Sequence, residues 1–98
     1  MDLLIMNKLE EISKKIHNAL FSINRSVIID EKEYVIKRFS RSGVNYIDYK
    51  DLRFIEQNKN KQSQWGKKAR EGHKITWIIK NGVYIARIID GEYKLLKK

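Results

Sequence analysis

The chain has 98 residues, a formal net charge of +9, no cysteine and no proline. This length predicts one domain, residues 1–98, with a modest core, and the lack of cysteine excludes disulfides and thiolate metal sites. No signal peptide and no apolar run of about 18 residues is evident, so we expect a cytoplasmic protein that does not enter a membrane. The proline-free mix, rich in lysine, glutamate and isoleucine, is of the kind reported for hyperthermophile proteins.

The first predicted element is a helix over residues 2–22. Apolar residues recur there at spacings of three and four, which places them on one side of a helix. Such a stripe predicts a helix that covers a sheet, although the spacing also suits a coiled-coil seam with a second copy. The stripe consists of Ile5, Leu9, Ile12, Ile16, Ala19 and Ile23.

Strand-like segments follow the helix. Residues 27–29 and 34–39 flank a polar stretch at 30–33, and residues 45–49 and 52–55 flank Lys50–Asp51. Runs of β-branched and aromatic residues separated by short polar connections are typical of hairpins. We therefore predict two hairpins, with a turn at Gly43 between them.

Residues 58–74, here called the basic segment, contain six Lys or Arg residues and one acid. Ser63 is a predicted N-cap and Gly72 a predicted C′ residue, which predicts a short helix over 64–71. Residues 57–80 contribute +6 of the total charge of +9. A clustered excess of positive charge is typical of nucleic-acid binders, and the alternative interpretation is a solvated loop.

A third hairpin is predicted around Asn81–Gly82, a preferred type I′ turn, with strands at 75–79 and 84–89 and a last strand at 92–96. A regular register would place Trp77 opposite Ala86. Side-chain alternation then predicts an uncharged core face, made of Ile75, Trp77, Ile79, Tyr84, Ala86 and Ile88. The other face would mix basic and apolar residues, namely Lys74, Thr76, Ile78, Lys80, Val83, Ile85, Arg87 and Ile89.

The predicted architecture is α-β-β-β-β-α-β-β-β, an α+β fold with a long N-terminal helix on a mainly antiparallel sheet and a short second helix before the C-terminal hairpin.

The predicted function is non-specific binding of single-stranded DNA or RNA, in preference to duplex. Lysine and arginine neutralise phosphates without reading sequence, and Trp65 either stacks on unpaired bases or anchors the short helix in the core. The candidate binding residues are Lys59, Lys61, Trp65, Lys67, Lys68, Arg70, His73, Lys74, Lys80 and Arg87. Further strand residues could extend this surface: Arg38, Arg41, Tyr46, Tyr49, Arg53 and Phe54.

Two other functions remain open. The protein could be a homodimeric structural or adaptor protein whose basic patch contacts an acidic protein partner. Alternatively, Glu92 and Lys94 have the E-x-K spacing of certain metal-dependent nucleases. No phosphate-binding loop, dinucleotide motif or zinc-protease motif is present. We therefore expect no enzyme activity, no catalytic residue, no metal and no cofactor.

Overall fold

A computed structural model describes residues 3–96, with side chains from residue 8 onward. It confirms the α+β class: two helices accompany antiparallel sheets of two and six strands. The elements are α1 (Leu3–Leu20), β1 (Ser26–Ile29), β2 (Lys32–Val35), β3 (Lys37–Arg38), β4 (Asn45–Tyr49), β5 (Leu52–Glu56), α2 (Gln64–Arg70), β6 (Ile75–Lys80), β7 (Val83–Ile89) and β8 (Glu92–Leu95).

The helix α1 ends two residues earlier than the sequence predicts. Phe21 and Ser22 donate their N–H groups to the carbonyls of His17 and Ala19, which closes the last turn. Ile23, the last member of the predicted stripe, is therefore outside the helix and 99% exposed. Ile5 lies outside the residues whose side chains are described, while Ile16 and Ala19 are buried as expected.

One strand more than predicted precedes α2, because the predicted strand 34–39 is divided at Ile36. Up to Val35 the chain pairs with β1, and from Lys37 it pairs with β4. Ile36 donates its N–H to the carbonyl of Arg25 at 2.8 Å, so the chain changes partner there. The first hairpin turn is also shorter than predicted, and only Asp30 and Glu31, both at positive φ, connect its strands.

The larger sheet is a meander in which each strand pairs with its neighbour along the chain, in the order β3-β4-β5-β6-β7-β8. The helix α1 covers one side of it, here called the core face. Ile16 and Leu20 of the helix join a buried cluster with Phe54 and Ile78 of the sheet. The β1–β2 hairpin completes this layer, since Tyr34 packs edge-on against Tyr49 with ring centroids 5.0 Å apart.

The opposite side of the sheet, here called the open face, is covered only in part. Ala69 of α2 and Ile75 of β6 are buried outside the main core cluster, which places α2 over one end of this face. Neither helix of the described residues has both the length and the apolar character needed to cross a membrane.

Candidate nucleic-acid interface

A β-bulge in β7 decides which residues the open face presents. Tyr84 pairs with Ile79 and Ala86 pairs with Ile78, so Ile85 is an extra residue without a partner in β6. One inserted residue reverses the alternation of side chains beyond it. Trp77 consequently lies opposite Arg87 rather than opposite the predicted Ala86.

The side chains of β6 lie on the faces opposite to those predicted. Thr76 and Ile78, assigned from sequence to the basic and apolar face, are fully buried on the core face. Trp77 and Ile79, assigned to the core, lie on the open face and are partly exposed. Ile75 shares the face of Trp77 and is nevertheless buried. For β7 the assignment of Ala86 and Ile88 to the core was correct.

Three aromatic side chains and one arginine gather on the open face and are here called the aromatic cluster: Trp65, Trp77, Tyr84 and Arg87. The ring of Trp77 meets Trp65 edge-on at 5.2 Å and Tyr84 edge-on at 5.5 Å. The Arg87 guanidinium lies 4.7 Å from the centre of the Trp65 ring, a cation–π contact. Both tryptophans are partly exposed and Tyr84 is 54% exposed. Large apolar rings thus reach the solvent beside a cation.

Trp77 and Tyr84 belong to this surface but were missing from the predicted binding residues. Their pattern in the sequence is that of core residues, and the bulge in β7 lets Tyr84 share the face of Trp77 while Ala86 and Ile88 stay in the core. Trp65, a predicted binding residue, is partly exposed on this surface and packs against Trp77. Trp65 therefore anchors α2 to the sheet and also leaves part of its ring exposed.

A second aromatic group consists of Phe39, just after β3, and Tyr46 of β4. Phe39 stacks on Tyr46 with centroids 4.3 Å apart and planes inclined by 21°. The Arg53 guanidinium lies 4.6 Å from the Tyr46 ring and binds both carboxylate oxygens of Asp48, at 2.7 and 3.2 Å. This hydrogen bonding lowers the pKa of Asp48. Tyr46 and Arg53 lie on the open face, whereas Tyr49 and Phe54 are buried in the core.

Hydrogen bonds fix the loop of the basic segment against α2. Arg70 donates from Nη1 to the carbonyl oxygens of Lys59 and Lys61, at 2.7 and 2.9 Å. The Ser63 hydroxyl caps α2 by accepting the N–H of Gly66. A Cβ atom on Gly66 would lie 2.0 Å from the Lys61 carbonyl oxygen. Glycine at this position allows residues 59–61 to lie directly against the helix.

Four lysines of this segment have no ion-pair partner among the described residues. Lys59, Lys61, Lys67 and Lys68 are all exposed. In the described part of the chain, the ion pairs to carboxylates involve other basic residues, none of them these four. Lys59 and Lys67 line one shallow depression together with Arg70 and polar side chains of the segment. Lys61 lines a separate cleft together with Trp65 and Trp77, so positive charge also lies next to the aromatic cluster.

Three other predicted residues have different surroundings. His73 Nδ1 lies 2.7 Å from Asp90 Oδ2, and this hydrogen bond lowers the pKa of Asp90. The backbone of Lys74 exchanges two hydrogen bonds with Asp90, one to its carboxylate and one from its N–H. Lys80 alternates with Ile79, so it lies on the core-face side of β6, where it contacts Asp51 at 3.6 Å. Lys80 is thus not brought to the aromatic cluster.

Glu92 and Lys94, the pair with nuclease-like spacing, are both exposed on the terminal strand β8. Over residues 3–96, no three His, Cys, Asp or Glu side chains lie close enough together to hold a metal ion. Comparison with protein-family models, with characterised proteins and with solved structures finds no match for this chain.

Proposed function

We propose that this protein binds single-stranded nucleic acid, DNA or RNA, with little sequence preference. The observation that carries the proposal is the position of the partly exposed aromatic cluster beside exposed lysines that form no ion pair with a carboxylate among the described residues. Phosphates release counterions on meeting such lysines, which gives affinity that depends on salt. Bases stack on aromatic rings, which adds affinity that every base can supply.

The same arrangement favours single strands over duplex. Stacking on Trp77 or Tyr84 requires a base whose ring face is free, and a duplex covers those faces by its own base stacking. Sequence reading in a duplex commonly uses a helix in the major groove. The helix α2 has seven residues and packs Trp65 against the sheet, which suits it poorly to that role.

Titration with labelled strands tests the proposal. The protein is added to a fluorescent single-stranded DNA, the matching RNA and the matching duplex, each at two salt concentrations, and tryptophan emission is recorded too. Both tryptophans of the chain belong to the aromatic cluster, so any change in emission reports on this surface. We expect single strands to bind more tightly than duplex, with quenched tryptophan and with affinity that falls as salt rises.

Absence of binding to all three nucleic acids at low salt would contradict the proposal. That result would favour the second candidate, an acidic protein partner for the same lysines, because exposed lysines without an ion-pair partner among the described residues suit either kind of polyanion.

Tyr84→Ala tests the stacking contribution directly. Tyr84 is 54% exposed and makes only an edge contact with Trp77, so its loss should hardly affect folding. We expect single-strand affinity to fall by roughly 1–3 kcal/mol, measured by fluorescence anisotropy. The control is Val83→Ala, which shortens an exposed neighbour that pairs with Lys80 and points away from the cluster. Equal effects of the two substitutions would remove Tyr84 from the interface.

A further inference from the structure

Between the two aromatic groups of the open face lies a cleft of about 440 Å³. Tyr46, Ile55 and Trp77 are consecutive partners in the register of β4, β5 and β6. Ile55 therefore forms the floor of the cleft between the two groups. Phe39, stacked on Tyr46, stands on the β4 side, and Trp65 stands with Trp77 on the β6 side. The cleft thus has an apolar floor and aromatic walls.

The walls of the cleft are held in place by hydrogen bonds. Trp77 Nε1 donates to Gln57 Oε1 at 2.7 Å, and Gln57 Nε2 donates to the Asn58 carbonyl at 3.1 Å. On the opposite side, the Phe39 N–H donates to the Val44 carbonyl at 2.9 Å, which closes the turn that carries Phe39. A ligand would meet walls already in position, and preorganisation of this kind lowers the entropy cost of binding.

The charged residues that line the cleft are one lysine and one glutamate. Lys61 lines it, is exposed and has no carboxylate partner among the described residues. The acid that lines the cleft, Glu56, accepts the N–H of Asn45 at 2.7 Å, and its burial raises its pKa. Lys59 and Arg38 act electrostatically on the same carboxylate. Three basic residues and one acid therefore lie at the cleft or near it.

These features together describe a ligand with a flat ring and an attached anion. Aromatic walls favour a planar ring, and Lys61 favours an anion beside it. The volume of the cleft is near the lower end of the range for small-molecule sites, which suits a single nucleotide better than several.

Resting on the proposed function, we propose that this cleft takes one unpaired nucleobase of a bound strand, with the adjoining phosphate at Lys61. The remaining bases of the strand would lie on the exposed part of the open face. A free nucleotide has the same chemistry as this unit of a strand, so the test distinguishes the two sources.

The test compares two single strands of about eight nucleotides, one intact and one with every base removed and all phosphates kept. Anisotropy is measured at one fixed salt concentration. We expect the intact strand to bind roughly tenfold more tightly or better, since each stacked base contributes about 1–3 kcal/mol. Ile55→Phe, which fills the cleft from its floor, should reduce this difference by the share of one stacked base while the dependence on salt stays the same. Val83→Phe adds the same bulk away from the cleft and should change neither.

Equal binding of the two strands would overturn the inference, because binding would then depend on charge alone. The binding of single strands, which is the proposed function, would stand without its stacking contribution. Failure of both strands to bind would overturn the proposed function itself. A nucleoside monophosphate is tested in parallel by tryptophan quenching. If it binds as tightly as the strand, and Ile55→Phe abolishes the quenching, the site belongs to free nucleotides and the assignment to a strand is overturned.

Thermal unfolding of each variant checks that it folds. Should Ile55→Phe fail to fold, Lys61→Gln replaces it, because Lys61 is exposed and its substitution should leave the fold intact. For this variant we expect weaker binding of the intact strand and a salt slope reduced by about one phosphate contact. The matched control is Lys15→Gln, which removes an exposed lysine from α1. Equal loss from both substitutions would overturn the role of Lys61.

Discussion

Two adjacent residues of α2, Trp65 and Gly66, contact two different parts of the candidate interface. Trp65 packs its ring between Trp77 and the Arg87 guanidinium. Gly66 provides the space in which the Lys61 backbone approaches the helix. Because Trp65 packs on the aromatic cluster and Gly66 contacts Lys61, α2 places the cluster and residues 59–61 next to each other.

The substitution Gly66→Ala is predicted to destabilise the protein, although helix propensity alone would predict stabilisation. Alanine in a helix interior is favoured over glycine by about 1 kcal/mol. Here its Cβ would lie 2.0 Å from a backbone oxygen that cannot move without shifting the loop. We expect the free energy of unfolding to fall by roughly 1–3 kcal/mol, the range for an overpacked site.

Urea denaturation of Gly66→Ala measures this effect. Lys68→Ala serves as the control, because Lys68 is exposed on the same helix and should change stability by less than about 0.5 kcal/mol. A Gly66→Ala protein as stable as the parent chain would show that residues 59–61 do not lie against α2.

At the scale of elements, the basic segment is a charged loop fixed to a short helix. Arg70 holds the loop by donating to two of its carbonyl oxygens. It therefore stabilises the loop, although it also adds to the positive charge of the surface. Lys67 and Lys68 are exposed in the last turn of α2. We expect these two lysines to contact phosphates while Arg70 keeps the loop in place.

The double substitution Lys67→Ala and Lys68→Ala should make binding of single strands less dependent on salt. Each phosphate contact contributes about 0.7 to the logarithmic salt slope for a single strand. Loss of two contacts should therefore reduce the slope by about 1.4, measured over a series of salt concentrations. A double substitution of Lys8 and Lys15 to Ala, which removes two exposed lysines from α1, should leave most of the slope in place. Equal reductions would mean that total charge alone matters.

Local signals made most elements predictable. The apolar stripe of α1, the Asn81–Gly82 turn and the Ser63 cap each follow from residues close together in the chain, and each is present. The features that escaped prediction depend on partners distant in sequence. At Ile36 the chain stops pairing with β1 and begins to pair with β4. The residues around Ile36 give no sequence signal for this change of partner.

The candidate site was only partly predictable for the same reason. The basic segment could be recognised from composition, whereas the cluster needed the bulge at Ile85. An extra residue in a strand of alternating apolar side chains leaves no break in the pattern, because Tyr84, Ile85 and Ala86 all suit a strand. Trp77 was consequently assigned to the wrong face, and the cleft beside it could not be foreseen.

At the scale of the whole molecule, α1 covers polar as well as apolar groups. His17 is buried, and its Nδ1 lies 2.6 Å from the Thr76 hydroxyl of β6. Burial lowers the pKa of His17, while the charges of Asp90 and Lys74 raise and lower it by smaller amounts. The helix therefore docks on the sheet through a neutral imidazole.

This histidine predicts lower stability in mild acid. Between its lowered folded pKa and its ordinary value of 6.5, the unfolded chain binds a proton that the folded chain does not bind. The free energy of unfolding should therefore decrease as the pH falls below about 6.5. Urea midpoints at about pH 7.5 and about pH 5.5 measure this decrease, and His17→Gln should make it smaller. An unchanged decrease in the variant would assign it to other groups.

The meander has a consequence for how the protein forms during synthesis. Each strand of the larger sheet pairs with its neighbour in the chain, so each hairpin can close soon after it leaves the ribosome, without waiting for distant segments. The helix that shields the core face precedes every strand in the chain. Newly made apolar strands therefore find their cover already synthesised, which shortens the time in which they could associate with other nascent chains.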